Sequence, residues 1–167
     1  GLKFLSWTEV GSIHMTGKKA ILSPADVKGS KVGVVTNRMT TAFWQAMGAN
    51  PVPTAIAEVS SSMQTGLIDI YPTSYAFYMP SGLNKIAPVV TKYPLWEASG
   101  LILINLGIYD KLAPDQRAGI DRAIAKVPPG VLRTEIRGVD TALTAAHQAA
   151  GGTVVEATPE QRAEWSK

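Results

Sequence analysis

Cysteine is absent from the 167-residue chain. That excludes disulfides, thiolate nucleophiles and Cys-ligated zinc, and it fits either a reducing compartment or a periplasm. Histidine occurs only as His14 and His147, and neither has a carboxylate or a second histidine at metal-ligand spacing. No apolar run approaches the ~18 to 20 residues of a membrane span. No basic run is longer than Lys18-Lys19 and the net charge is only +3, so the chain has no electrostatic footprint for nucleic acid. The Gly-x-Ser-x-Gly elbow, His-Glu-x-x-His, the phosphate loop and Gly-x-Gly-x-x-Gly are all missing, and no cofactor is implied. Gly1-Leu2-Lys3 lacks the basic-then-apolar pattern of a signal peptide, so the expectation is mature sequence, its signal peptide removed, or a piece of it.

What is present describes a folded α/β chain. Hydrophobic residues make up 46% and charged residues 17%, and a chain of this length buries about 70% of its unfolded surface without a staple. Leu2 and Phe4 alternate as a short strand before a Trp7–Gly11 loop, and a further loop is expected over Gly11–Gly17. Ser23-Pro24-Ala25-Asp26 signals a short capped helix that Gly29 ends. Strands are expected over 31–35 and 67–71, with helices over 40–47 and 57–65. Pro51-Val52-Pro53 fits only an edge strand. This alternation argues a parallel βαβ arrangement. Further strands are expected over 89–93 and 99–105, the second buried on both faces. Helices follow over 114–127 and 131–150, the latter with Leu132, Ile136, Val139 and Leu143 on one stripe. Pro128-Pro129-Gly130 divides them. A strand over 153–156 and a helix capped at Thr158 close the chain.

The binding features gather near the C-terminal ends of the expected parallel strands, the edge where ligands sit in open α/β sheets. Tyr71, Tyr75, Phe77 and Tyr78 either wall a pocket there or pack on the sheet. Asn37-Arg38 follows the 31–35 strand, and Arg38 offers a bidentate fork to a carboxylate or stands solvated in its loop. Trp7 and Trp96 suit cleft walls, whereas Trp44 reads as core. An enzymatic alternative uses His14 with Glu9 or Asp69 as an acid/base pair. His147, in an alanine-rich helix, reads as a packing or surface residue.

The order of motifs resembles the solute-binding subunit of tripartite ATP-independent periplasmic (TRAP) transporters, the DctP-type family. The run Ile21-Leu22-Ser23-Pro24-Ala25-Asp26-Val27-Lys28-Gly29-Ser30-Lys31-Val32 is similar to its P-x-D-hydrophobic-K-G-x-K-hydrophobic segment. Met47–Pro53, Ala57-Glu58-Val59, Met63–Asp69 and Leu112-Ala113-Pro114-Asp115-Gln116 follow in the family's order. The resemblance covers nearly all of the chain but about the C-terminal half of a family member. It implies a two-lobed fold of the periplasmic binding protein type II kind with an N-terminally truncated first lobe. Residues 11–98 would form the second lobe, and 1–10 with 99–167 the hinge strands and the rest of the first lobe, whose elements after Ser99 should expose apolar surface.

The implied function is non-catalytic: a periplasmic protein that closes over a small organic solute, an organic acid in many relatives, and delivers it to TRAP membrane permease subunits. Trp7, Asn37, Arg38, Tyr71, Thr73 and Tyr75 are the expected ligand-binding residues. Gly33 and Ile13 stand where many family members carry arginine, and Thr73-Ser74 replaces a usual Asn-Pro, so the resemblance does not fix the ligand. An alternative is a truncated interaction module that self-associates.

Overall fold

A computed structural model describes residues 1–165, the Pro94 side chain excepted. Its frame is a six-stranded sheet of order β3-β2-β4-β1-β5-β6. The strands are β1 (Leu2–Gly17), β2 (Lys31–Val34), β3 (Asn50–Pro53), β4 (Ile70–Thr73), β5 (Val89–Asn105) and β6 (Thr153–Glu156). β2 runs parallel to β3 and β4, β5 runs parallel to β6, and β1 is antiparallel to both of its neighbours, β4 and β5. The expected βαβ unit and the Pro51-Val52-Pro53 edge strand are therefore present.

Two expectations are corrected along the long strands. Residues 7–17 are strand rather than loop, and 89–93 and 99–105 belong to one continuous strand. The pairing survives the intervening residues because it shifts register between Phe4 and Ser6, Glu9 and Gly11, and Ile13 and Met15. Gly11 takes φ 111°, a value that a glycine adopts freely and that bulged strands use. Residues 99–105 are also not buried on both faces, since Leu101 and Leu103 are 50% and 42% exposed. They pair with residues 2–9 as a ribbon, and Leu2, Phe4 and Trp7 are exposed as well.

Helices α1 (Pro24–Val27), α2 (Arg38–Ala46), α3 (Val59–Gln64), α4 (Tyr75–Tyr78), α5 (Leu106–Tyr109), α6 (Pro114–Lys126), α7 (Pro129–Ala149) and α8 (Pro159–Glu164), with 3-10 turns at Ile56–Glu58 and Leu83–Lys85, complete the described elements. The Asp26 carboxylate accepts the Leu22 and Ser23 N–H groups at 2.9 Å each and so starts α1. Pro128 separates α6 from α7, which begins with Pro129 at its first position. β4 begins later than expected because Asp69 serves the strand entry instead. Its N–H donates to the Lys31 carbonyl and its carboxylate accepts the Lys31 N–H.

The core has two sides, divided by the alternation of side chains along the strands. Met15, Val32, Val34 and Ile70 pack with Trp44 of α2 and with Trp165. Tyr71, Tyr75, Tyr78 and Val90 pack with Val59, Met63 and Leu83. His147 of α7 is buried against this second side, 5.2 Å from the Tyr78 ring centroid, with Nε2 3.1 Å from the Pro88 carbonyl. A side chain added at Gly152 would overlap the His147 ring. Gly152→Ala is therefore expected to lower stability by about 3 kcal/mol, the upper end for overpacking, as measured by urea unfolding; an unchanged midpoint would contradict the packing described.

Candidate functional site

The chain leaves β2 through α2 to β3 on one side, then returns through α3 to β4 on the other. The connection reverses direction at β2, and a crevice opens beyond the C-terminal ends of β2 and β4, the place where open α/β sheets bind ligands. A depression of about 370 Å³ lies there. From β2 and its following loop come Gly33, Val34, Val35 and Asn37, from β4 Tyr71, Pro72 and Thr73, and from the start of α4 Ser74 and Phe77. Val10 and Ile13 of β1 and Trp96 of β5 close the other side. Its volume is at the small end of ligand pockets, which span about 300 to 1,000 Å³. A second depression of about 460 Å³, bordered by Lys18, Lys19 and Lys28, lies at the opposite end of the parallel strands.

Of the six residues singled out by sequence, Asn37, Tyr71 and Thr73 meet in the crevice depression. Asn37 Oδ1 is occupied as the cap of α2, accepting the Thr40 N–H at 2.8 Å. Thr73 is buried, and its hydroxyl makes no hydrogen bond with another described residue. The Tyr71 ring lies over Gly33: a Cβ there would stand 2.9 Å from Tyr71 Cδ2 and 2.7 Å from Ile68 Cδ1. Arg38 is exposed at the first position of α2, outside the lining, with no ion pair or hydrogen bond among the described residues.

Trp7 and Tyr75 are placed elsewhere. Trp7 borders a depression of about 230 Å³ with Glu9, Arg133 and Arg137. Tyr75 is sealed behind β1, 5.5 Å from His14 and 6.4 Å from His147 between ring centroids. Direct sequence reading missed Thr40, Ser74, Val10 and Ile56 in the lining. Thr40, Ile56 and Ser74 follow the ends of β2, β3 and β4, and Val10 reaches the crevice from within β1, a juxtaposition that strand order and register set and composition does not show.

The family model for DctP, the bacterial extracellular solute-binding proteins of family 7, matches residues 1–167. The chain belongs to the DctP family. A solute-binding protein of Verminephrobacter eiseniae is 31% identical over 125 residues, which cover 74% of this chain and 37% of that protein. The C4-dicarboxylate-binding periplasmic protein DctP of Rhodobacter capsulatus is 25% identical over 170 residues, covering 100% of this chain and 50% of that one. Among solved structures, a TRAP periplasmic solute-binding protein from Roseobacter denitrificans with bound β-D-glucuronate superposes with TM-score 0.85 at 28% identity. It covers 99% of this chain and 54% of that one. The ectoine-binding protein of Halomonas elongata superposes with TM-score 0.87 at 24% identity, over 99% and 55%. The chain thus spans about half or less of the length of these relatives.

In this DctP-family chain the acid/base pairing of His14 with Glu9 or Asp69 does not form. The Glu9 carboxylate is held by Arg133 Nε at 3.2 Å and Arg137 Nε at 3.1 Å from α7, and Asp69 serves Lys31 at the far end of the sheet. His14 is buried in β1, on the side away from Ile13, with Nδ1 unpartnered. Burial, assisted by the Lys92 charge and opposed by the Tyr93 carbonyl and Glu97, lowers its pKa from 6.5 to about 4. The folded chain keeps His14 neutral to about pH 4, whereas the unfolded chain protonates it near 6.5. Stability is therefore full above that window and falls as the pH drops through it, by at most about 3 kcal/mol. Urea unfolding at pH 7 and pH 4.5 is expected to show this loss, and His14→Gln to flatten it; equal slopes in both proteins would contradict the assignment.

Proposed function

We propose that this chain is part of the solute-binding component of a TRAP transporter, acting in the periplasm and without catalysis. In this reading residues 11–98 form the second lobe, and 1–10 with 99–167 form the hinge strands and the rest of the first lobe. The solute is a small organic molecule, an organic acid as in the names of many relatives, and the membrane partner is the transporter's permease subunits. The observation that carries the reading is the depression at the strand-order reversal, floored by β2 and β4 and walled by Trp96 and Phe77. Closure around a solute excludes water and strengthens the few polar contacts available.

Relatives supply the trial solutes. One curated relative is named for ectoine and another for 2,3-diketo-L-gulonate, while solved relatives hold L-malate, succinate or β-D-galacturonate. Asn37, Tyr71 and Thr73 are proposed to contact the solute, while Arg38, outside the lining, and Trp7 and Tyr75, which lie away from this depression, are proposed to make no contact with it. Thr73→Ala is expected to weaken binding about fivefold, the loss of one hydrogen bond worth about 1 kcal/mol. Trp7→Ala is expected to leave affinity unchanged. Calorimetry with this panel checks both; a Trp7 effect without a Thr73 effect would move the site to the other depression.

A further inference from the structure

Resting on the site just proposed, we infer that the part of the solute held by this chain is its flat, uncharged part: the ligand is a ring-bearing organic molecule, met by hydroxyl and amide groups rather than by a cation. None of the described residues lining the crevice depression carries a charge at neutral pH. Its polar side-chain groups are the amide of Asn37, the hydroxyls of Thr40, Thr73, Ser74 and Tyr71, and the indole N–H groups of Trp44 and Trp96. A carboxylate desolvated against such a lining would lose its hydration with no opposite charge to offset it, which is costly.

The aromatic walls supply what the missing cation does not. Tyr71 and Phe77 lean together with ring centroids 6.1 Å apart. Trp96 stands at the mouth, 40% exposed, edge-on to Phe43 at 6.3 Å. The two properties have one origin at Gly33, because the Tyr71 ring takes the space that any side chain there would need. A charged side chain cannot rise from this point of β2 without displacing the aromatic wall. Arg38, the nearest cation along the chain beyond the strand, lies outside the lining. Lys92 and Arg137 border a different depression with His14 and Asp140.

The test uses three probes on the chain by calorimetry: phenylacetate, its neutral amide phenylacetamide, and succinate. Phenylacetate is expected to bind about tenfold or more tighter than succinate, and the amide to stay within about threefold of the acid, since ring contacts rather than charge supply the affinity. Trp96→Ala is expected to weaken phenylacetate about fivefold to tenfold, with thermal unfolding of the variant recorded alongside to show that it is folded. Succinate binding more tightly than both aromatic probes, or the amide losing more than about tenfold, would overturn the inference while leaving the solute-binding reading intact. Failure of all three probes and of the relatives' named solutes would overturn that reading, and this inference with it.

Discussion

The pairing of β1 with β5 is the constraint on which the rest of the fold depends. Their antiparallel ladder runs from Leu2 against Asn105 to Gly17 against Val89. The parallel unit joins through β4 on the outer edge of β1, and β6 joins through β5. A ladder this long has to bend and coil along its length, and the three register shifts supply the local kinks and added twist. They also decide where side chains go. Ile13 faces the crevice while Ser12 and His14 face α7, so a slip of one residue would exchange an apolar wall for a buried imidazole.

The sheet also separates charge from apolar surface. On the α7 side, Glu9 meets Arg133 and Arg137, Ser12 donates its hydroxyl to Glu97 and its N–H to Asp140, and Lys92 faces Glu156. Exposed pairs of this kind contribute about 0 to 1 kcal/mol each, but the nearly enclosed Glu9 carboxylate fixes where α7 crosses β1. Burial raises the pKa of Asp140, and the Ser12 N–H works against that rise. The crevice side carries none of this. Its lining is aliphatic, aromatic, hydroxyl or amide, a surface that selects by shape and hydrogen bonding rather than by neutralisation.

Much of this was legible in the sequence where local chemistry decides the outcome. Ser23-Pro24-Ala25-Asp26, Pro51-Val52-Pro53, Pro128-Pro129 and Thr158-Pro159 each impose a backbone choice, and the structure follows all of them. Long-range pairing was less legible. Nothing local in Gly11–Gly17 signals a strand, because its partner is some 80 residues away. The α7 stripe shows the same limit. Leu132, Ile136 and Leu143 are partly buried as expected, but Val139 is 41% exposed, and the polar Asp140 and His147 take the packed positions because partners from β1, α4 and Pro88 await them. The crevice itself follows from topology: Tyr71 and Thr73 were found by their position after a strand, while Tyr75, two residues on, turns behind the sheet into the His14 and His147 cluster.

The central claim is that a solute enters the crevice at the strand-order reversal, and the four tryptophans report on it directly, since only Trp44 and Trp96 border that depression. Indole N–H resonances recorded during titration with an organic solute that binds would be decisive. The account predicts that the Trp96 resonance shifts in step with occupancy while Trp7 and Trp165 stay in place. A shift of Trp7 with Trp96 unmoved would contradict it.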